Sequence, residues 1–177
     1  MKPAVRVVAG RWKGRRLEGG PAARPTSSRA RQALFSILGE RIAGARVLDL
    51  YAGTGAVGFE AVSRGAAFAA LVDAAGEPLR RTAARLGAAP EQIEILDAPA
   101  DAALDLLARR GERFDLVFAD PPYGEDPDLR RASALLAGGG TLVLQRDAGA
   151  GPGEAPGLTL LERRAYGRNV FFFFGMR

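Results

Sequence analysis

Apolar and polar positions along the chain follow two alternating rhythms. Val47 to Leu50, Ala67 to Asp73, Gln92 to Leu96, Phe114 to Ala119 and Thr141 to Gln145 are short apolar runs, the length and character of strands buried on both faces. Helical patterns fall between them. One begins after the glycines of Val47 to Gly58, one covers Glu77 to Leu86 with Pro78 in its first turn, and one covers Ala100 to Arg110. Asp126-Pro127-Asp128 is suited to open another, reaching Ala137. Strand and helix in regular alternation predict a doubly wound α/β sheet. After the loop Ala148 to Gly157, Leu158 to Tyr166 and Asn169 to Gly175 read as a closing antiparallel hairpin turned at Gly167-Arg168. The result is a seven-stranded, mostly parallel sheet. Val170 to Phe174, VFFFF, points aromatics to both faces, so that strand belongs inside the sheet.

The start of the chain has a different character. Val5 to Ala9 and Arg11 to Leu17 read as two short strands around Gly10 and Gly14, a hairpin with one basic face. Arg6, Arg11, Lys13, Arg15 and Arg16 are expected to meet phosphates, whereas Trp12 is expected to anchor the hairpin to the body. Gly19 to Arg24 is a linker. Thr26, Ser27 and Ser28 then signal the start of a helix that runs to about Leu38, with Ala30, Ala33, Leu34, Ile37 and Leu38 as its buried stripe. Arg24, Thr26 and Arg29 gather at that start. They form either a contact for an anionic group or a plain N-cap with solvated arginines.

Charge sharpens this division. Residues 1–46 hold eleven Lys or Arg against Glu18 and Glu40, a balance of +9, and the remainder carries −4, giving +5 for all 177 residues. A basic arm on a mildly acidic body suggests a polyanionic partner, nucleic acid above all. Length implies a single globular unit with a short extension, so residues 1–40 are expected to form a basic, nucleic-acid-binding extension and residues 41–177 the main domain. With no Cys and no His, thiolate nucleophiles, zinc sites and imidazole bases are excluded, and no metal is expected. No apolar run approaches membrane-spanning length and the charged beginning lacks a signal-peptide core, so a cytoplasmic protein without a membrane partner is expected.

The candidate chemistry starts at Val47 to Gly58, VLDLYAGTGAVG. Glycines let backbone approach a ligand, and the following helix presents unpaired amides. GTGAVG matches GxGxxG and Asp73 follows Gly53 by twenty residues, so a dinucleotide-binding dehydrogenase is one reading. Asp49 argues against it, because pyrophosphate avoids a neighbouring carboxylate whereas the ammonium of a methionine moiety seeks one. S-adenosylmethionine is therefore favoured, with Asp73 accepting from the ribose hydroxyls. A P-loop is excluded, since no GxxxxGK[ST] occurs.

Asp120-Pro121-Pro122-Tyr123 follows the fourth strand and so lies at the same sheet end as the glycine loop. Transfer to an exocyclic amine needs acceptors around the NH2 group that free its lone pair. Asp120 offers a carboxylate oxygen, Pro121 a carbonyl, the two prolines a fixed backbone, and Tyr123 a face for a flipped base.

These segments, in the order VVAGRWKGRRL, RPTSSRARQALFSIL, VLDLYAGTGAVGFEAVSRGA and FDLVFADPPY, resemble the RsmD-type 16S rRNA guanine-N2 methyltransferase family over nearly the whole chain. The resemblance implies a Rossmann-like class I methyltransferase fold with a small basic N-terminal extension, and S-adenosylmethionine as donor. It implies a 16S rRNA guanine as acceptor, within an assembled or partly assembled small ribosomal subunit. A monomer is expected. It assigns Asp49, Tyr51, Gly53, Thr54 and Gly55 to the donor loop, Asp73 to the ribose, and Asp120, Pro121, Pro122 and Tyr123 to catalysis. Thr26 and Arg29 match the motif at the active-site mouth. Pro99 departs from the family pattern where an acidic or amide side chain meets the adenine, leaving Asp97 or the backbone of Ala100 for that contact. Other readings stay open: methylation of adenine or of a protein glutamine, a dehydrogenase, and a non-enzymatic RNA-binding module.

Overall fold

The computed structural model describes residues 4–19 and 26–176. Seven strands form one sheet in the order β3-β2-β1-β4-β5-β7-β6. They are β1 Arg46–Leu50, β2 Phe68–Asp73, β3 Ile93–Asp97, β4 Phe114–Ala119, β5 Leu136–Asp147, β6 Leu158–Tyr166 and β7 Asn169–Met176. β1 to β5 run parallel, and β7 enters antiparallel between β5 and β6. The helices are α1 Ser28–Leu38, α2 Ala56–Ser63, α3 Glu77–Leu86, α4 Ala100–Arg109 and α5 Leu129–Ser133.

Both sheet faces are covered, which is why the central strands are apolar at successive positions. Leu71, Phe118, Phe171 and Phe173 pack on one side, and Leu48, Val117, Leu144, Phe172 and Phe174 on the other. β7 is thus an interior strand, as its phenylalanines require.

The structure departs from the sequence-based expectations at several places. The basic arm is a tight loop joined by one bridge, Arg6 to Arg16, rather than a pair of strands. Its two sides are still joined by backbone bonds, from the Val7 amide to Arg15, Gly14 to Val7 and Leu17 to Val5, and the loop bonds to the body as well, with the Arg11 amide donating to the Ser63 carbonyl. Trp12 enters the core as expected of an anchor, and Val7 and Leu17 enter it too. On α1, Arg31 and Phe35 are buried while Ala33 and Ile37 are only half-buried, so the inward face is rotated from the expected stripe. α5 stops at Ser133 rather than Ala137, and the chain turns directly into a twelve-residue β5. β5 gains its early residues through a register shift against β4, from Phe114 opposite Leu136 to Leu116 opposite Thr141. That irregularity absorbs Gly138, Gly139 and Gly140, which broke the apolar pattern. Among the described residues, no helix is long and apolar enough to cross a membrane.

Candidate active site

The strand order reverses between β1 and β4, the switch point at which open α/β sheets bind ligands beyond their carboxyl ends. Leu50 lies opposite Ala119 in that pair, so the chain leaving β1 and the chain leaving β4 emerge side by side. Thr26, Asp49, Tyr51, Thr54, Ala56 and Asp120 line a narrow cleft there. A roomier hollow of about 300 Å³ lies at the opposite end, among Leu38, Arg41, Ile42, Asp115 and Thr141. The narrower cleft is the functional candidate because it alone brings Asp49 and Asp120 together.

Asp49 is 2% exposed. Burial pushes its carboxyl up to about 8; the Gly58 amide, donating to Oδ2 at 2.9 Å, opposes this, and the Asp120 and Asp73 charges add to it. A buried acid of this kind is costly unless a cation meets it. The turn that follows is unusual. Tyr51 takes a left-handed φ of 59°, rare for a residue with a side chain, and Gly53 and Gly55 have positive φ as well. Gly55 is obligatory on two grounds, since a Cβ there would lie 2.5 Å from the Phe59 ring. No side chain caps α2, whose first turn therefore faces the cleft through backbone. Burial also pushes the Tyr51 hydroxyl up to about 12.

At the end of β2, Asp73 stands opposite Asp97 of β3. Asp73 accepts from the Gly53 amide at 2.8 Å and the Ala75 amide at 2.9 Å, so it shapes the glycine loop from the neighbouring strand. Asp97 accepts from the Gly76 amide and pairs with Arg80 at 3.0 Å. Pro99 precedes α4, whose first residue is Ala100. The carboxylates at the ends of β1, β2 and β3 fit a donor that carries an ammonium, a sulfonium and a ribose.

On the other wall, Asp120 accepts from the Gln145 amide nitrogen at 3.2 Å. Pro121 is half-buried, Pro122 is exposed, and the Tyr123 side chain stands 83% exposed at the lip. Thr26 is not the N-cap; Ser27 caps α1 by accepting from the Ala30 amide. Thr26 is instead 7% exposed and donates to Gln145 Oε1 at 3.1 Å, so it faces the cleft interior rather than the surface. Arg29 is exposed on the first turn of α1, and Arg24 lies outside the described residues.

The arm residues divide into two sets. Arg6 donates to the Gly14 carbonyl, Arg11 to Gln92 Oε1 while lying 4.2 Å over the Trp12 ring, and Arg15 to the Arg85 carbonyl. Among the described residues, the side chains of Lys13, Arg16 and Arg29 meet no acid or acceptor.

Sequence reasoning missed four residues. Gln145 donates to Asp120 and also to Asn169, and Arg31 and Glu60 join the arm to α2. The last two carried a visible signal. Arg31 shares the 31, 34, 35, 38 spacing of an apolar helix face, and Glu60 is flanked by Gly58, Phe59, Ala61 and Val62.

Comparison with known proteins agrees with this geometry. The family model described as conserved hypothetical protein 95 matches residues 5–175. The Ribosomal RNA small subunit methyltransferase D of Escherichia coli K12 is 37% identical over 124 residues, spanning 67% of this chain and 60% of that protein. The protein of the same name from Haemophilus influenzae is 36% identical over 129 residues, 69% of this chain and 65% of its own length. The chain thus aligns with less than two thirds of either relative. Among solved structures, a hypothetical protein of Thermus thermophilus superposes with a TM-score of 0.82 at 34% identity, covering 96% of this chain and 98% of that one. Escherichia coli yhhF gives 0.82 at 28% identity with 99% of both chains covered. The chain therefore belongs to the conserved hypothetical protein 95 family, the RsmD-type methyltransferases, and has their Rossmann-like fold.

Proposed function

We propose that this protein methylates the exocyclic N2 amine of a guanine in 16S rRNA, using S-adenosylmethionine. The observation that carries the reading is the pairing of two acids at neighbouring strand ends. Asp49 is buried and suited to a cation, while Asp120 stands at the cleft's other wall with prolines fixing the chain beyond it. The names of the two relatives support ribosomal RNA as the substrate.

S-adenosylmethionine supplies an electrophilic methyl on a sulfonium. Asp49 would meet the cationic end of the donor, the amides of the loop and the first turn of α2 that are not already bonded within the chain would meet its carboxylate, and Asp73 would meet the ribose. Asp120 and the Pro121 carbonyl accept the two amine hydrogens, turning the nitrogen lone pair out of conjugation and toward the methyl. Once the bound donor has supplied the methyl to nitrogen and left as a thioether, Asp120 would take the surplus proton from the methylated nitrogen and pass it to water. Tyr123 stacks on the extruded base.

Residues 1–40 serve in this reading as the RNA-binding extension of a catalytic domain formed by residues 41–177. The substrate is the RNA within a partly assembled or assembled small subunit, and the enzyme is a cytoplasmic monomer.

The test is transfer of labelled methyl from S-adenosylmethionine to unmodified small subunits, naked 16S rRNA, DNA and protein, followed by identification of the labelled nucleoside. N2-methylguanosine in small-subunit RNA is the expected product. Label on adenine or on protein would overturn the substrate and keep the chemistry.

A further inference from the structure

Gln145 lies near the end of β5 and is 5% exposed. All its polar capacity is directed at three partners. Oε1 accepts from Thr26 Oγ1 at 3.1 Å, and Nε2 donates to Asp120 Oδ2 at 3.2 Å and to Asn169 Oδ1 at 3.4 Å. The partners come from the segment before α1, the loop after β4 and the first residue of β7.

The chemistry of the partners determines which way the amide points. An ionised carboxylate only accepts, so the end of Gln145 that faces Asp120 must be the NH2 group. The reverse orientation would set a carbonyl oxygen against carboxylate oxygens. Two hydrogens on Nε2 then satisfy two acceptors, and Oε1 requires a donor, which the Thr26 hydroxyl provides. The amide is locked at both ends.

We infer that Gln145 is a positioning residue for methyl transfer: held by Thr26 and Asn169, it fixes the Asp120 carboxylate in the orientation that receives the acceptor amine. This rests on the reading of Asp120 as the group that meets the amine. The arrangement gives the N-terminal segment a part in the chemistry beyond RNA contact. Thr26 is the outer end of the chain, and its own carbonyl accepts from Arg31 Nη1 at 3.2 Å. Orientation matters here because misplacement of a reacting group by about 1 Å costs on the order of 100-fold in rate.

The experiment compares Gln145→Leu, Thr26→Val and Thr26→Ser with the intact protein, each checked for an unchanged melting transition. Gln145→Leu should lower kcat for methyl transfer to small-subunit RNA roughly 10- to 100-fold with KM for the donor unchanged. Thr26→Val should lower kcat, Thr26→Ser should recover it, and adding Thr26→Val to Gln145→Leu should cost nothing more, as expected for two members of one chain. A kcat for Gln145→Leu within threefold of the intact enzyme, losses that add in the double variant, or a change confined to donor KM would overturn the assignment.

A second measurement needs no substrate. The Gln145 side-chain NH2 resonances of nitrogen-15-labelled protein should be well separated and slow to exchange, and should move in both Asp120→Ala and Thr26→Val. Resonances indifferent to both changes would overturn the chain itself. Absence of methyl transfer by the intact enzyme to any RNA, with these resonances behaving as expected, would overturn the substrate reading instead.

Discussion

The Arg31 guanidinium and the Glu60 carboxylate, both without solvent exposure, meet at 3.4 Å between Nε and Oε2. Glu60 also pairs with Arg64 at 2.9 Å and accepts from the backbone amides of Val8 and Ala9 at 2.7 and 2.9 Å. Arg31 donates to the Arg6 carbonyl at 2.5 Å as well as to Thr26. One buried ion pair thus fastens the N-terminal arm, α1 and the helix that follows the glycine loop. Removing one partner strands the other charge, at a cost of about 3 to 5 kcal/mol. Glu60→Gln should lose stability of that order in urea denaturation. Trp12, the chain's single tryptophan, packs edge-on against Phe59 with ring centroids 6.4 Å apart. Its emission should shift to the red in the variant as the arm loosens.

Gly10 tests the same attachment from the arm's side. It has φ of +80°, and a Cβ there would fall 1.8 Å from the Ser63 carbonyl oxygen, at the end of α2. Neither backbone can give way without breaking the bond from the Arg11 amide to that oxygen. Gly10→Ala should therefore expose Trp12 to an aqueous quencher in otherwise folded protein. Emission as shielded as in the intact chain would count against a rigidly docked arm.

The central sheet was legible because its signals are local. Short apolar runs bounded by Gly, Pro and Asp identify β1, β2, β3 and β4 to within a residue or two, and the glycine turn and DPPY locate the two walls of the cleft. What stayed hidden depends on contacts between distant segments. Gln145 reads as an ordinary strand residue until Thr26, 119 positions earlier, is brought against it. How far the basic arm is built into the body stayed hidden for a related reason, although Trp12 is its expected anchor. Val7 and Leu17 are as compatible with a small hairpin as with the body's core, and only the Ser63 and Glu60 contacts decide between them.

Asp49 gives the site a pH dependence of definite sign. Its carboxyl is raised from an ordinary 3.8 to about 8, first by burial. Between those values the folded chain holds a proton that the unfolded chain releases, so this contribution to stability is complete below about pH 4 and declines as pH rises to about 8. The slope reaches at most ~1.4 kcal/mol per pH unit. Binding of a cationic donor draws on the ionised form, so affinity should rise with pH up to about 8 and then level off. Asp49→Asn keeps an acceptor for the Gly58 amide, and should flatten the stability profile while abolishing the rise in donor affinity. Calorimetry in buffers of different ionisation enthalpy would detect the released proton; binding at pH 6.5 without proton release would refute the assignment.

The division of the arm's cations predicts which of them read RNA. Each phosphate contact on a single strand contributes about 0.7 to the slope of log affinity against log salt. Replacing Lys13, Arg16 and Arg29 together should lower that slope by about 2 and leave the melting transition in place. Replacing Arg11 and Arg15, which are occupied by Gln92, Trp12 and the Arg85 carbonyl, should lower stability and change the slope less. Equal slopes for the two variants would mean that the contacts to the body yield when RNA binds.

Asp49 and Asp120 share one cleft, yet their variants should separate donor binding from transfer. Asp120→Ala removes the proposed acceptor for the amine hydrogens and leaves β1, the glycine loop and Asp49 in place, so donor affinity should stay within about threefold while transfer is lost; threefold is about 0.65 kcal/mol, close to the usual scatter for a site with no direct contact. Asp49→Ala should do the reverse, losing donor binding while RNA binding persists through the arm. Isothermal titration with the donor and a single-turnover methyl-transfer assay on both variants measure the two quantities independently. Loss of donor binding in Asp120→Ala would place that carboxylate on the donor instead of the acceptor. Retained transfer would remove it from the reaction altogether.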